Sequence, residues 1–203
     1  MLYRIEKRIL DLTLSLLALV VLSPVLLIVA ILIRVKMGSP VIFKQERPGL
    51  NEKPFYLYKF RTMTNAKDKN GELLPKEKRV TPLGKFLRAT SLDELPELLN
   101  VVVGNMSLVG PRPLAMAYLA RYNSEQRRRH TVLPGLTGLA QINGRNSLSW
   151  EKTFEYDVLY VEKRSFWFDC KIILLTIVRV LKREGADAAA ENRTDFLGTP
   201  NKS

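Results

Sequence analysis

The sequence predicts a mostly helical α/β protein with an N-terminal re-entrant membrane helix hairpin, a small β-hairpin and amphipathic interfacial helices. Three observations predict it. Residues 9–33 are apolar at membrane length, yet Ser23-Pro24 interrupts them. Residues 41–61 turn to strand character on both sides of Arg47-Pro48-Gly49-Leu50-Asn51. The last two helical segments carry apolar stripes, and the final one has a basic edge. The expected division is a membrane helix over 1–36, a cytosolic membrane-associated domain over 37–184 and a disordered tail over 185–203.

Composition narrows the class. With 203 residues and 46% apolar side chains, one core-forming domain is expected. A net charge of +12 points to an anionic partner: nucleic acid, an anionic membrane surface or a phosphorylated substrate. Cys170 and His130 are the only thiol and imidazole, which excludes an intramolecular disulfide and argues against structural zinc.

Proline at 24 deletes a helical hydrogen bond and bends the apolar run. Each half then reaches only about 16–21 Å, too short to cross a bilayer alone. Arg4, Lys7 and Arg8 precede the run, and Arg34 and Lys36 follow it. The positive-inside rule keeps both ends on the cytoplasmic side, which favours a dip into one leaflet over a straight span. Asp11 is expected to pair with Lys7 or Arg8.

Val41-Ile42-Phe43 and Phe55 to Arg61 read as two strands of a hairpin. Alternation puts Lys59 and Arg61 on one face, about 6–7 Å apart, either to hold a diphosphate or to protect a solvated sheet edge. Residues 64–81 read as a long surface loop and Leu83 to Arg88 as a short helix presenting Arg88.

The chain is organised around Arg88-Ala89-Thr90-Ser91-Leu92-Asp93-Glu94-Leu95-Pro96-Glu97-Leu98-Leu99-Asn100. Ser91 and Glu94 have the spacing of a capping box, with Asp93 in the first turn, where the helix dipole favours negative charge. Pro96 predicts a kink. Adjacent carboxylates suit chemistry on a phosphate, and equally they are ordinary helix-start residues.

Arg112 lies between Pro111 and Pro113, so a stiff, extended backbone presents its guanidinium. That suits an anion, as it suits a plain turn. Leu114 to Arg129 reads as one helix, ending in a basic run, 127–130, expected to face lipid. Residues 134–146 (PGLTGLAQINGRN) read as an irregular Gly-rich loop whose backbone can approach a ligand, with Gln141 and Arg145 at hand. It is neither a Walker loop nor a dinucleotide fingerprint. In the helix 149–162, Asp157 falls inside the apolar stripe and needs a partner, with Arg112 or an Arg of the Gly-rich loop as candidates. Asp169 reads as the N-cap of the last helix, which either lies on a membrane or closes a core.

These motifs, taken in order, resemble the bacterial sugar transferases, the monotopic polyprenyl-phosphate phosphoglycosyl transferases. The matching elements are Ser23-Pro24, Lys59-Phe60-Arg61-Thr62-Met63, Ser91-Leu92-Asp93-Glu94-Leu95-Pro96, Gly110-Pro111-Arg112-Pro113, Pro134-Gly135-Leu136-Thr137-Gly138 and Gln141-Ile142-Asn143-Gly144-Arg145. The mildest departure is Asn105, where the family commonly has Asp. The chain is similar to the family's minimal form, and most of all to the transferases that initiate bacterial protein N-glycosylation with diacetylbacillosamine phosphate.

The resemblance implies a monotopic enzyme of the bacterial inner membrane with its active site on the cytosolic face. It implies transfer of a sugar 1-phosphate from a UDP-sugar, such as a UDP-N-acetyl amino sugar, to undecaprenyl phosphate. Asp93 would be the nucleophile, holding Mg²⁺ and forming a sugar-phosphoryl aspartate as UMP leaves. Glu94 would assist. Lys59, Arg61, Arg88, Arg112, Gln141 and Arg145 would bind the phosphates and nucleotide, with Asp157 and Asp169 in support. Inner-leaflet phospholipid would be a partner and nucleic acid would not. Two other readings stand beside this one. A membrane-anchored basic binding module accounts for the charge alone. A metal-dependent glycosyltransferase would release UDP and usually carries an Asp-x-Asp, which this sequence lacks.

Overall fold

The computed structural model describes residues 2–144, 147–182 and 195–198. Helices α1 (Leu2–Val21) and α2 (Ser23–Met37) open the chain. Strands β1 (Ile42–Pro48) and β2 (Pro54–Phe60) form an antiparallel hairpin, with Ile42 opposite Phe60 and Arg47 opposite Phe55. A short α3 (Lys76–Arg79) interrupts the expected loop and leads to α4 (Pro82–Ala89). A 3-10 turn (Leu92–Glu94) and α5 (Glu97–Val103) follow. Strand β3 (Ser107–Val109) pairs in parallel with β4 (Gly135–Thr137). Between them lie a 3-10 stretch (Met116–Arg121), α6 (Ser124–Arg127) and a 3-10 turn (Arg128–Thr131). Helices α7 (Leu139–Ile142), α8 (Trp150–Lys163) and α9 (Phe166–Leu181) complete the fold.

No single described helix is long and apolar enough to cross a membrane. Helices α1 and α2 are long and apolar enough only as a pair, and they bend by 62° at their junction. Pro24 sits in the first turn of α2, where a missing N–H costs nothing, while Ser23 Oγ donates back to Val20 O at 2.8 Å. The break therefore falls where the sequence places it.

The polar residues of α1 have other partners than expected. Asp11 is buried and accepts from Ser107 Oγ at 3.1 Å and from the Leu108 N–H at 3.0 Å. Lys7 pairs with Asp169 at 2.8 Å, and Arg8 donates to the Val101 and Val102 carbonyls at 2.7 Å, capping α5. Two of the three N-terminal cations counted as topology signals are thus spent inside the protein. They tie α1 to α9 and α5. The far half of α2 also docks, Val29 and Ile33 packing on Phe60 and Leu87.

The single helix expected over 114–129 is broken into three short pieces. Asn123 and Gln126 form a reciprocal capping box that starts α6 afresh, after an extended Tyr122. The basic run that follows is not a lipid-facing row. Arg127 binds Glu52, Arg128 binds Glu125 and Glu162, and Arg129 and His130 are buried. Burial, with Arg129 and Arg127 nearby, pushes His130 down to about 3, so it is neutral.

The Gly-rich segment is likewise regular, supplying β4 and α7. A Cβ on Gly135 would lie 2.1 Å from the Gly110 nitrogen, and one on Gly138 would lie 2.2 Å from the Gly110 oxygen. Here the glycines admit neighbouring backbone rather than a ligand. Ser165, not Asp169, caps α9, its side chain accepting from the Phe168 N–H at 3.3 Å. Helix α9 presents Trp167, Leu174 and Ile177 outward.

The expected disorder of 185–203 does not hold at 195–198; the rest of that tail lies outside the described residues. Phe196 is buried among Tyr118, Tyr122, Trp150 and Phe154, with ring centroids 5.0–5.7 Å away. Tyr118 donates to Asp195 at 3.0 Å, and Arg121 donates to the Phe196 carbonyl. Phe196→Ala is expected to cost about 2 kcal/mol. It should also open the tail to limited proteolysis ahead of the rest of the chain.

Candidate active site

The site is built where the 3-10 turn meets β2 and the segment after β3. Ser91 holds a left-handed conformation (φ 56°), unusual for a residue with a side chain. Its side chain caps nothing, so the expected capping box is absent. Glu94 turns away from the backbone toward two cations. Pro96 stands at the N-cap of α5, so it starts a helix instead of kinking one.

Asn100, fully buried, fixes this turn against the sheet. Its Oδ1 accepts from the Tyr58 N–H at 3.0 Å and its Nδ2 donates to the Tyr56 carbonyl at 2.7 Å. The side chain thus serves the free edge of β2 as another strand would. It sets α5, and the turn before it, over Lys59.

Lys59 Nζ lies 2.8 Å from Glu94 Oε1 and 3.1 Å from Glu97 Oε1. Arg112 approaches Glu94 with both terminal nitrogens, one at 3.3 Å from Oε2 and the other on Oε1. Burial disfavours charge on Glu94, but Arg112 and Lys59 outweigh it and hold this carboxyl below the usual carboxylate range. Glu94 in turn raises Arg112. Asp93 is 9% exposed and makes no ion pair among the described residues. Burial, then the neighbouring Glu94, pushes it up to about 6, against smaller opposing effects of Lys59, Arg112 and Arg88. Glu97 is pushed up to about 7 by burial and by Glu94. Neighbouring carboxyls are thereby separated: Glu94 is a fixed anion in a salt bridge, and Asp93 is the less solvated, more basic one.

The structure brings together Asp93, Glu94, Lys59, Arg88 and Arg112. Arg88 is exposed, its Nε donating to Thr62 Oγ1 at 3.1 Å. The other expected site residues are placed elsewhere. Arg61 is buried and donates to the carbonyls of Met63, Met37 and Ser39, anchoring the end of α2. Gln141 donates to the Leu136 carbonyl at 3.0 Å. Asp157 pairs with Arg129 (2.8 Å), which also donates to the Arg112 carbonyl at 2.7 Å. Asp169 takes Lys7, Tyr3 and Tyr160. Arg145 lies outside the described residues.

Glu97, Asn100, Arg129 and Arg47 were missed in the sequence. The first two were legible in principle, since Glu94, Glu97 and Asn100 recur every three residues on one helical face. Arg129 was hidden inside a run of like residues. Arg47, Leu57, Lys59, Glu97, Arg112 and Pro113 line a small cavity of about 30 Å³ beside the carboxylates. A larger cavity of about 450 Å³ at the start of α1 contains none of these side chains. The charged groups converge at the carboxylates, away from that larger cavity.

Among the described residues no three His, Cys, Asp or Glu side chains cluster as a metal site. Asp93 forms no ion pair among the described residues. One carboxylate fits a Mg²⁺ ion that takes its remaining ligands from phosphates and water, and it does not fit an all-protein cage.

The profile of the family described as "Bacterial sugar transferase" matches residues 2–183. The chain is similar to the "Uncharacterized sugar transferase EpsL" of Bacillus subtilis (strain 168), 56% identical over 89% of this chain and 90% of that one. It is similar to the "UDP-glucose:undecaprenyl-phosphate glucose-1-phosphate transferase" of Klebsiella pneumoniae, 45% identical over 85% of this chain and 39% of that one. It also resembles the "Galactosyl transferase CpsE" of Streptococcus agalactiae serotype III (strain NEM316), 42% identical over 90% and 43% respectively. The chain spans about two-fifths of the length of these last two. Their names carry glucose and galactose, so the expected nearness to diacetylbacillosamine transferases is not what these relatives show.

Proposed function

From its membership of the bacterial sugar transferase family, to which this chain belongs, we propose that it moves a sugar 1-phosphate from a UDP-sugar to undecaprenyl phosphate and releases UMP. The observation that carries the reading is a buried carboxyl, Asp93, that forms no ion pair among the described residues and is set among Arg88, Lys59 and Arg112.

In the first step an Asp93 oxygen attacks the β-phosphorus of the donor. The bond from that phosphorus to the bridging oxygen breaks, UMP leaves with the electron pair, and a sugar-phosphoryl aspartate remains. In the second step an oxygen of undecaprenyl phosphate attacks the same phosphorus, and the aspartate carboxylate departs. Such transfers need positioning and charge neutralisation above all. Arg112 and Arg88 supply fixed positive charge. Glu94 holds Arg112 and Lys59 in place before the donor arrives. Asp93 would hold Mg²⁺, which supplies further neutralisation of phosphate charge. The donor sugar is either a hexose, as in the names of the relatives, or the UDP-N-acetyl amino sugar expected from the sequence.

A product assay with the full chain, undecaprenyl phosphate, Mg²⁺ and a UDP-sugar panel tests this reading. UMP is expected as the nucleotide product with at least one donor. UDP instead would make the protein a conventional glycosyltransferase. No nucleotide product, with retained binding to anionic vesicles, would make it a lipid-binding module.

The bent α1–α2 pair dips into the cytoplasmic leaflet of the inner membrane in this reading, placing Asp93 at headgroup level. In a Cys170→Ser background, cysteines at Leu2 and Lys36 should both react with an impermeant maleimide from the cytoplasmic side only. Labelling from opposite sides would mean a straight span.

A further inference from the structure

We propose that Arg47 is a phosphate-binding residue beside Arg112, the two guanidiniums and Lys59 forming a subsite for a phosphomonoester. The inference rests on the function proposed above and adds to it a residue on β1. Arg47 is half-buried at the end of the strand and lines the same small cavity as Lys59, Glu97 and Arg112.

Its surroundings do not satisfy it. One terminal nitrogen donates to Gln45 Oε1 at 2.7 Å. Its Nε is buried without a hydrogen-bond partner, and Arg47 forms no ion pair among the described residues. Burial and the neighbouring Arg112 both work against its charge. The structural arginines of this fold are held either by a carboxylate, as Arg129 is, or by several carbonyls, as Arg61 is. Glu97 is the carboxylate in reach, and Lys59 sits on it instead.

Three cations and one carboxylate, Glu97, thus line one cavity, and burial with the nearby Glu94 makes Glu97 reluctant to ionise. An incoming dianion relieves this arrangement. Its negative charge offsets the repulsion between Arg47 and Arg112. A guanidinium presents its donors as a planar fork that matches phosphate oxygens. The cavity itself, about 30 Å³, holds no more than a water molecule. The phosphate therefore seats at its mouth, on the side of Arg112, whose side chain is 41% exposed.

A phosphomonoester is common to UMP and to undecaprenyl phosphate, so the test has an arm for each. Full-length wild type, Arg47→Gln and Arg47→Lys would be compared in the same lipid discs. The readouts are inhibition by UMP, inhibition by uridine and the KM for a polyprenyl phosphate. Arg47→Gln is expected to weaken UMP about 10- to 100-fold and leave uridine unchanged, with Arg47→Lys between. A raised KM for the polyprenyl phosphate with unchanged UMP inhibition would support the subsite and assign it to the acceptor. Unchanged behaviour toward both phosphates would overturn the role of Arg47, while UMP release by wild type would leave the proposed function standing. A wild type that neither releases nor binds UMP would overturn both. If Arg47→Gln does not fold, Arg47→Lys decides: a loss of about 3- to 10-fold is expected, and full UMP affinity overturns the proposal.

Discussion

Asp93→Asn should lower UMP release by at least about 1000-fold, because an amide cannot form the acyl phosphate. The same substitution should stabilise the protein. Folding raises this carboxyl from 3.8 to about 6, so the folded state binds the proton more tightly than the unfolded chain. Stability then falls as pH rises from about 4 to about 6, and above that range the whole penalty is present. Asn carries no charge to desolvate. At pH 7.5 the variant should gain about 1–3 kcal/mol, visible as a higher melting temperature. Loss of activity with a raised melting temperature identifies a reacting group, whereas loss with a lowered one would point to a structural role. In wild type the first half-reaction, assayed without added Mg²⁺, should slow as pH drops through about 6, because attack needs the ionised carboxylate.

Asp157→Ala should have the largest effect on stability. Asp157 and Arg129 are both buried, and Asp157 Oδ2 accepts from Arg129 Nε at 3.0 Å and from its terminal nitrogen at 2.8 Å. Removing the carboxylate leaves a buried guanidinium without its counter-ion, a loss of about 3–5 kcal/mol. For a chain of this size that is a drop of roughly 10 °C in melting temperature. Activity should fall as well, since Arg129 also holds the backbone carbonyl of Arg112. An Asp157→Leu, Arg129→Met double variant removes both charges and should recover much of the stability. Recovery of stability without activity would separate the fold from the placement of Arg112. A double variant as damaged as the sum of its singles would show that the pair is uncoupled.

What could be read in the sequence was what short-range chemistry dictates. Pro24 separates two helices because its ring clashes with a preceding helical turn and its missing N–H is tolerated in a first turn, both local effects. Pro111 and Pro113 stiffen the approach to Arg112 for the same reason. Apolar alternation found β2, and the Asp157 position inside an apolar stripe announced a buried charge. What escaped was the choice of partner. Arg129 answers Asp157 from a basic run that looked like a surface, and Lys7 answers Asp169 across the fold. Arg61 matches Lys59 in sequence terms, yet it holds carbonyls at the end of α2 while Lys59 reaches the carboxylates. Likewise a capping box at Ser91 competes with salt bridges to Glu94, and the tertiary partners win. The buried Phe196 shows the same limit, because a single aromatic in a polar tail gives no periodic signal.

A covalent intermediate on Asp93 distinguishes the proposed two-step transfer from direct transfer between substrates. The most direct measurement is intact-protein mass spectrometry of the full chain incubated with an active UDP-sugar and no polyprenyl phosphate, followed by peptide mapping. The predicted result is a mass gain of one sugar phosphate on the peptide containing Asp93, lost on addition of undecaprenyl phosphate and absent in Asp93→Asn. Turnover with acceptor present, but no adduct at any time without it, would rule out Asp93 as the nucleophile and point to direct transfer between the two substrates.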